Sequence, residues 1–352
     1  MKNTNIQWCH STINPVAGCD GCELWSSPAV IIQAIVERLA ALAGLSQEEL
    51  KERVPGVVGR RDTSAIYKYR LVLAKRITGQ KSGPAFETVV DVIREKAKCY
   101  AGLLGTNRAG VKGYVDQFEV PKLFPGRMAE AASWESPTNT ELHEKAWLKG
   151  IPWRLIFISD MGDALSKNVP FQYLDQEIIE SVTSAEGRRH QWLWLTKRPA
   201  RMAGFARYLE QQGKVWPENL MAMTTVTSQA TAGRIGQLRK VPSRLRGLSV
   251  EPLLGPVKLD LSGIDWVIVG GGSDVLARPL HVEWALDLRR QCQAAGVAFF
   301  LKTTWQNPFS RGLPMKLNHR HGGDWNEWPK EWRTREFPAA FYATNCSLLL
   351  TP

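Results

Sequence analysis

The chain has 352 residues, 44% of them apolar and 22% charged, with a formal net charge of +11 and six cysteines. That length carries one large domain or two ordinary ones. The apolar runs are too short for a membrane span, the first residues lack the apolar core of a signal peptide, and so few cysteines make no disulfide scaffold. A cytoplasmic protein with no membrane partner is therefore expected, and the basic balance favours a polyanion, nucleic acid first.

In chain order, an apolar run at 6–13 predicts a first strand, followed by Asn14-Pro15 and a turn holding Cys19 and Cys22 as C-x-x-C. Residues 1–25 thus form a strand and a cysteine loop. Residues 26–98 break the pattern as a helical insertion. Helices are predicted over Pro28–Leu45, after Ser46, whose spacing to Glu49 is that of a capping box, and over Thr63–Ile77. Within the insertion stand six cations, Arg60, Arg61, Lys68, Arg70, Lys75 and Arg76, interleaved with Tyr67 and Tyr69. Cations can meet phosphates and tyrosines can stack on bases; the same pattern also suits a solvated helix face.

Cys99 follows the insertion. From there to residue 304 short β-rich runs alternate with helical stretches: 114–120, 154–159, 191–196, 220–226, 245–250, 266–270 and 297–301. Near-continuous apolar strands between helices predict a parallel sheet covered on both faces. With the first strand they make eight βα units, so the expected fold is α/β, a parallel (β/α) barrel of TIM type, complete or partial; an open doubly wound sheet is the alternative. Helices are predicted at 172–186 and 282–295, the second closed by Gly296. Residues 305–352, with Trp305, Trp325, Trp328 and Trp332, read as an irregular cap.

The chemistry concentrates in two places. Cys19, Cys22 and Cys99 offer three thiolates, ligands suited to zinc or to an iron–sulfur cluster. Zinc would call for a fourth ligand, with Cys9 or His10 at hand, and a redox dithiol is a third option. Cys9 and His10 are otherwise placed behind the ligands. Cys292 and Cys346 read as packing residues.

The second place is the carboxyl ends of the strands, where a parallel barrel carries its site. Asp160 and Asp163, Thr196 and Lys197, Thr224 and Thr225, Glu251, the glycines Gly270 and Gly271, and Lys302 all fall there. Lys197 is a cation for a carboxylate or phosphate, or a structural partner of Glu251 or Asp160. Glu251, between Val250 and Pro252, should be paired if buried. Gly270 and Gly271 let backbone approach a ligand, or simply make a tight loop. Asp160 and Asp163 are expected to cap the next helix or to meet substrate.

The strings 6–19, Cys99-Tyr-Ala, 158–161, 195–199, 249–256 and 299–302 resemble a phage-associated family of unknown function. That family is similar in turn to remote radical S-adenosylmethionine enzymes, and Thr196-Lys197 and Thr224-Thr225 resemble the spore photoproduct lyase type. The resemblance implies a [4Fe-4S] cluster on Cys19, Cys22 and Cys99. It further implies S-adenosylmethionine held by Thr196, Lys197, Thr224, Thr225, Glu251, Gly270, Gly271 and Lys302. Lys197, Glu251 and Asp160 would carry the catalysis, an external donor would supply electrons, and the substrate would be a nucleic-acid base or nucleotide. The rival class is a non-catalytic nucleic-acid-binding protein stabilised by zinc or iron–sulfur.

Overall fold

The structure is a computed structural model that describes residues 2–26, 28–43, 46–53, 70–96, 99–107, 111, 113–272, 279–304, 308–319 and 322–343. It divides into two compact units, one of residues 1–16 and 123–352 and one of residues 17–122.

The larger unit is built on a seven-stranded sheet: β1 (Ser11–Ile13), β2 (Arg154–Ile158), β3 (His190–Thr196), β4 (Leu220–Thr225), β5 (Arg246–Val250), β6 (Trp266–Gly270) and β7 (Ala298–Thr303). Every neighbouring pair is parallel, and the strands lie in the sheet in sequence order. A doubly wound sheet reverses its strand order part-way and this one does not. The result is an α/β fold whose parallel sheet curls into a partial barrel. Six predicted strands recur within two residues at either end, among them 266–270 without change.

Two expectations about strands are corrected. Residues 114–120 form turns and bends instead of an eighth strand, entered through Gly113 at φ 91°. The first strand is shorter than 6–13 because the Lys145 ammonium takes the carbonyls of Thr4, Ile6 and Cys9, at 2.7, 2.7 and 2.6 Å. With those acceptors spent, pairing to β2 starts only at Ser11. The fully buried Arg154 guanidinium pins the same segment, donating to the Lys2 and Glu135 carbonyls, to Ser11 Oγ and to the Glu141 carboxylate.

Side chains alternate across the sheet with period two. Ile156, Ile158, Trp192, Trp194, Ala222, Leu248, Val267 and Phe299 face the crossover helices. Leu155, Phe157, Leu193, Met221, Met223, Trp266, Ile268 and Phe300 face the other way, where Trp8, Phe337 and Phe341 fill the concave side. Close packing there explains Gly247, where a Cβ would lie 2.9 Å from the methyl carbons of both Met221 and Met223.

Among the crossovers, Val282–Ala295 forms as predicted and ends at Gly296, left-handed at φ 68°. The helix predicted over 172–186 is instead Phe171–Leu174, a π turn Asp175–Ile179, and Glu180–Thr183. The π turn keeps Asp175 on the Lys214 ammonium at 2.7 Å and Glu177 on the amides of Gly126 and Met128, both at 2.8 Å.

The C-terminal cap closes over Arg335, whose guanidinium stands 4.0 Å from the Trp147 ring centroid and 5.2–5.3 Å from those of Trp325 and Trp328. Its neighbours run antiparallel along β7: Leu301 N–H donates to the Thr334 carbonyl and Glu336 N–H to that of Phe299, both at 2.9 Å. Trp305 and Cys346 lie outside the described residues.

The smaller unit holds the helices Pro28–Ala43, Gln47–Arg53, Arg70–Thr78, Pro84–Lys96 and Tyr100–Asn107. The first and fourth bury Ile31, Ile35, Leu39, Phe86, Val89, Val90 and Ile93, at the three- and four-residue spacing of an amphipathic helix. Ser46 and Glu49 close the expected capping box, Glu49 N–H donating to Ser46 Oγ at 3.3 Å and Ser46 N–H to the Glu49 carboxylate at 3.2 Å.

Candidate cofactor and strand-end sites

Two glycines shape the cysteine loop, Gly18 at φ 86° and Gly21 at φ 99°, backbone settings that only glycine adopts at little cost. A Cβ on Gly18 would stand 2.8 Å from the Phe118 carbonyl, which also accepts the Cys19 N–H at 2.7 Å. Cys22 Sγ accepts the Leu24 N–H at 3.4 Å. Cys99 immediately precedes the helix Tyr100–Asn107.

Loop and helix are locked together through Trp25. Its ring lies where a Cβ of Gly102 would be, 2.3 Å from the nearest ring atom, its indole N–H donates to Glu119 at 3.2 Å, and it meets Phe118 edge-on at 5.2 Å. The Ser26 N–H reaches the Lys96 carbonyl at 3.1 Å. Gly102 stands in the first turn of the helix that follows Cys99, so the Trp25 contact packs that turn against the segment following the C-x-x-C pair. All three cysteines are thiols of intermediate exposure.

The donor chemistry suits an iron–sulfur cluster, since thiolates are its normal ligands. As the side chains stand, no group of three His, Cys, Asp or Glu among the described residues converges on a metal position. Loading a cluster therefore requires the three thiols to turn toward a common point. On the basic helix, Lys75 and Arg76 are exposed while Leu73, Ala74 and Ile77 are buried. Arg60, Arg61 and Lys68, with Tyr67 and Tyr69, lie outside the described residues, and of Arg70 only the backbone is described.

At the strand ends, alternation sorts the candidate residues into two sets. Thr196 and Thr224 share the parity of the residues that face the helices. Thr196 Oγ donates to Asp163 at 2.8 Å, and Thr224 Oγ to the Thr196 carbonyl at 2.9 Å. Asp163, 5% exposed, also accepts the N–H groups of Lys197 and Leu165, each at 3.0 Å. It joins two strand ends and does not cap the helix Phe171–Leu174, whose N-cap is Pro170.

Lys197, Thr225, Ser249, Glu251, Gly270 and Lys302 have the parity of the concave face. The strand registers pair Thr225 with Ser249 directly. Glu251 Oε1 meets the Lys302 ammonium at 2.7 Å and its other oxygen accepts from Ser249 at 3.1 Å. This settles the partner of Glu251: it is Lys302. Gly270 makes room for the pair, since a Cβ there would lie 2.8 Å from Glu251 Oε1. Gly271 is likewise pressed on backbone, 3.1 Å from the Thr304 carbonyl, with its N–H given to Thr303 at 3.0 Å. Close packing accounts for both glycines.

Asp160 is 7% exposed, and burial raises its carboxyl above the usual range. Its support is Asn14, a residue the sequence did not single out. The Asn14 amide donates to Asp160 while its oxygen accepts the Met161 N–H at 2.9 Å, so one side chain ties β1 to the end of β2. An Asn-Pro pair directly after a predicted strand was the available signal. Ser159, at φ 76°, makes the turn between. Ser249, the other supporting residue, was hidden because serine in a strand resembles any polar residue.

Cys9 is fully buried, and desolvation pushes its thiol up to about 12; Lys145, Asp160, Lys302 and Glu251 all act on it electrostatically. His10 accepts the Leu155 N–H through Nδ1 at 2.9 Å, and burial lowers its pKa to about 3, so it is a neutral structural imidazole.

Fold and site together define an α/β protein with a partial parallel barrel. A polar row lies on its concave strand ends, and a helical unit carries three cysteines. Within that class, the chain belongs to the family described as protein of unknown function (DUF5131), whose model matches residues 93–329. The matched span takes in Cys99 and every strand-end candidate and leaves Cys19 and Cys22 outside it. No curated protein and no solved structure matches the chain. Among the described residues, no helix is long and apolar enough to cross a membrane.

Proposed function

We propose that this protein is a radical S-adenosylmethionine enzyme acting on a nucleic-acid base or nucleotide, with a [4Fe-4S] cluster on Cys19, Cys22 and Cys99. The observation that carries the reading is the Trp25–Gly102 contact, which joins the C-x-x-C loop to the helix led by Cys99. When bound and reduced by an external donor, the cluster would cleave S-adenosylmethionine to methionine and a 5′-deoxyadenosyl radical that takes a hydrogen atom from the substrate.

The chain's own residues supply binding and orientation. Lys197 offers a cation to the methionine carboxylate. The Glu251–Lys302 pair, fixed by Ser249, offers one acceptor edge and one ammonium for ribose hydroxyls or the methionine amine. Asp160, held in place by Asn14, offers a buried carboxylate that can accept a hydrogen bond. The net charge of +11 and the exposed Lys75 and Arg76 support a polyanionic substrate.

The test is anaerobic reconstitution with iron and sulfide, reduction, and addition of S-adenosylmethionine. Formation of 5′-deoxyadenosine, abolished by Cys19→Ala, Cys22→Ala or Cys99→Ala, supports the reading. A colourless zinc protein that binds oligonucleotides without cleaving S-adenosylmethionine would replace it with the non-catalytic binding class.

A further inference from the structure

The amino ends of the strands, at the opposite end of the sheet from the candidate residues above, carry a concavity of their own. Its lining includes Trp153, Arg188, His190, Gln191, Glu218, Asn219 and Arg244. Each comes from the loop leading into β2, β3, β4 or β5 or from the first two residues of the strand, so the sheet itself brings them together.

Most of the polar lining is already committed. The Asn219 amide donates to the carbonyls of Val182, Gly187 and His190 at 3.1–3.2 Å. The Gln191 amide donates to Asn219 and Trp192 carbonyls at 3.0 and 3.3 Å. His190 turns Nε2 to the Ala132 carbonyl at 3.0 Å, and burial lowers its pKa to about 4, so it carries no charge at neutral pH. The indole N–H of Trp153 is fixed on the Phe341 carbonyl at 3.1 Å.

Two guanidinium groups remain. Among the described residues, neither the Arg188 nor the Arg244 side chain has a hydrogen-bond or ion-pair partner, although Arg154, Arg189 and Arg246 at the same end are bonded to carbonyls of the chain. Two uncommitted arginines on one concavity present the planar donor forks that match a phosphate, and the aromatic wall beside them can take a base face. Glu218 is the single carboxylate of the lining and opposes an anion.

We infer that this concavity is a phosphate site, gripped by Arg188 and Arg244 and walled by Trp153, taking the phosphate of a nucleotide or of a nucleic-acid strand. It is separate from the strand-end site and does not depend on the cofactor assignment. The probes are AMP, followed by calorimetry, and a short fluorescein-labelled single-stranded oligonucleotide, followed by anisotropy.

The intact protein should bind at least one probe. The double variant Arg188→Gln/Arg244→Gln should lose about tenfold or more in affinity while keeping its melting temperature, since both side chains are exposed. Glu218→Gln should tighten binding severalfold. Saturable AMP binding that the oligonucleotide fails to displace marks a nucleotide site. Oligonucleotide binding that AMP competes only weakly marks a strand. Absence of binding to both probes, or undiminished binding by the double variant, would overturn the proposal.

Discussion

The two sets of polar residues at the carboxyl ends of the strands differ by a single step along the chain and have unlike surroundings. Thr196, Thr224 and Asp163 turn toward the helices and spend their hydrogen bonds on one another and on the backbone. Lys197, Thr225, Glu251 and Lys302 have the opposite parity and line the concave side, where an ion pair is held in place by a serine and a glycine. The first set joins strand to strand; the second holds the Glu251–Lys302 ion pair. At a strand end, the face on which a side chain lies decides its role more than its polarity does.

The comparison can be broken most forcefully at Asp163. Asp163→Ala removes the partner of the Thr196 hydroxyl, of the buried Leu165 amide and of the half-buried Lys197 amide, and should lower unfolding free energy by about 3–5 kcal/mol in urea titrations. A loss under about 1 kcal/mol would take Asp163 out of the joining set.

Acidification probes the fold without substitution. His10 and His190 have folded pKa values of about 3 and 4 against 6.5 when unfolded. Lowered values favour the neutral form, so their contribution is complete above about pH 6.5 and drains away as pH falls toward the folded values. Each should cost roughly 2 kcal/mol at pH 5. Denaturant midpoints that stay level from neutral pH to that point would contradict the burial assigned to these rings.

Gly270→Ala presses on the end of a flexible side chain and should cost only about 1–2 kcal/mol. It should nonetheless displace Glu251 from Lys302 and weaken S-adenosylmethionine binding, a split that calorimetry and melting curves measured together would reveal. Smallest are the paired threonines. Thr224→Val should lose about 1 kcal/mol with ligand binding intact, and Thr225→Val less than about 0.5 kcal/mol with ligand binding reduced. Equal behaviour of the pair would erase the distinction between the two faces.

Much of the sheet was legible because its strands are continuous apolar runs ended by loops, a local signal that needs no knowledge of partners. The same period-two rule, applied one residue further, would have separated Thr196 from Lys197 and Thr224 from Thr225. The failure at 114–120 has a different origin. That segment has strand-like composition, yet its backbone serves the cysteine loop, with the Phe118 carbonyl taken by the Cys19 amide. The partner lies almost a hundred residues earlier, beyond the reach of any local pattern. Asn14 was missed for the same reason: its partner Asp160 is distant in sequence. The π turn at Asp175–Ile179 was invisible because helical spacing continues through it, and only the Glu177 contacts with Gly126 and Met128 show why the ladder widens.

A partial barrel leaves a last strand with one side unpaired, and an exposed strand edge is a template for another chain. Here the segment Thr334–Glu336 runs antiparallel along β7, taking the amide of Leu301 and giving its own to Phe299, and Arg335 is clamped among three tryptophans while it does so. The aromatic tail thus takes up backbone groups of the last strand that would otherwise stay unpaired. Trp325 and Trp328 of the tail, together with Trp147, surround Arg335 and seat this short stretch of backbone on one edge of the sheet.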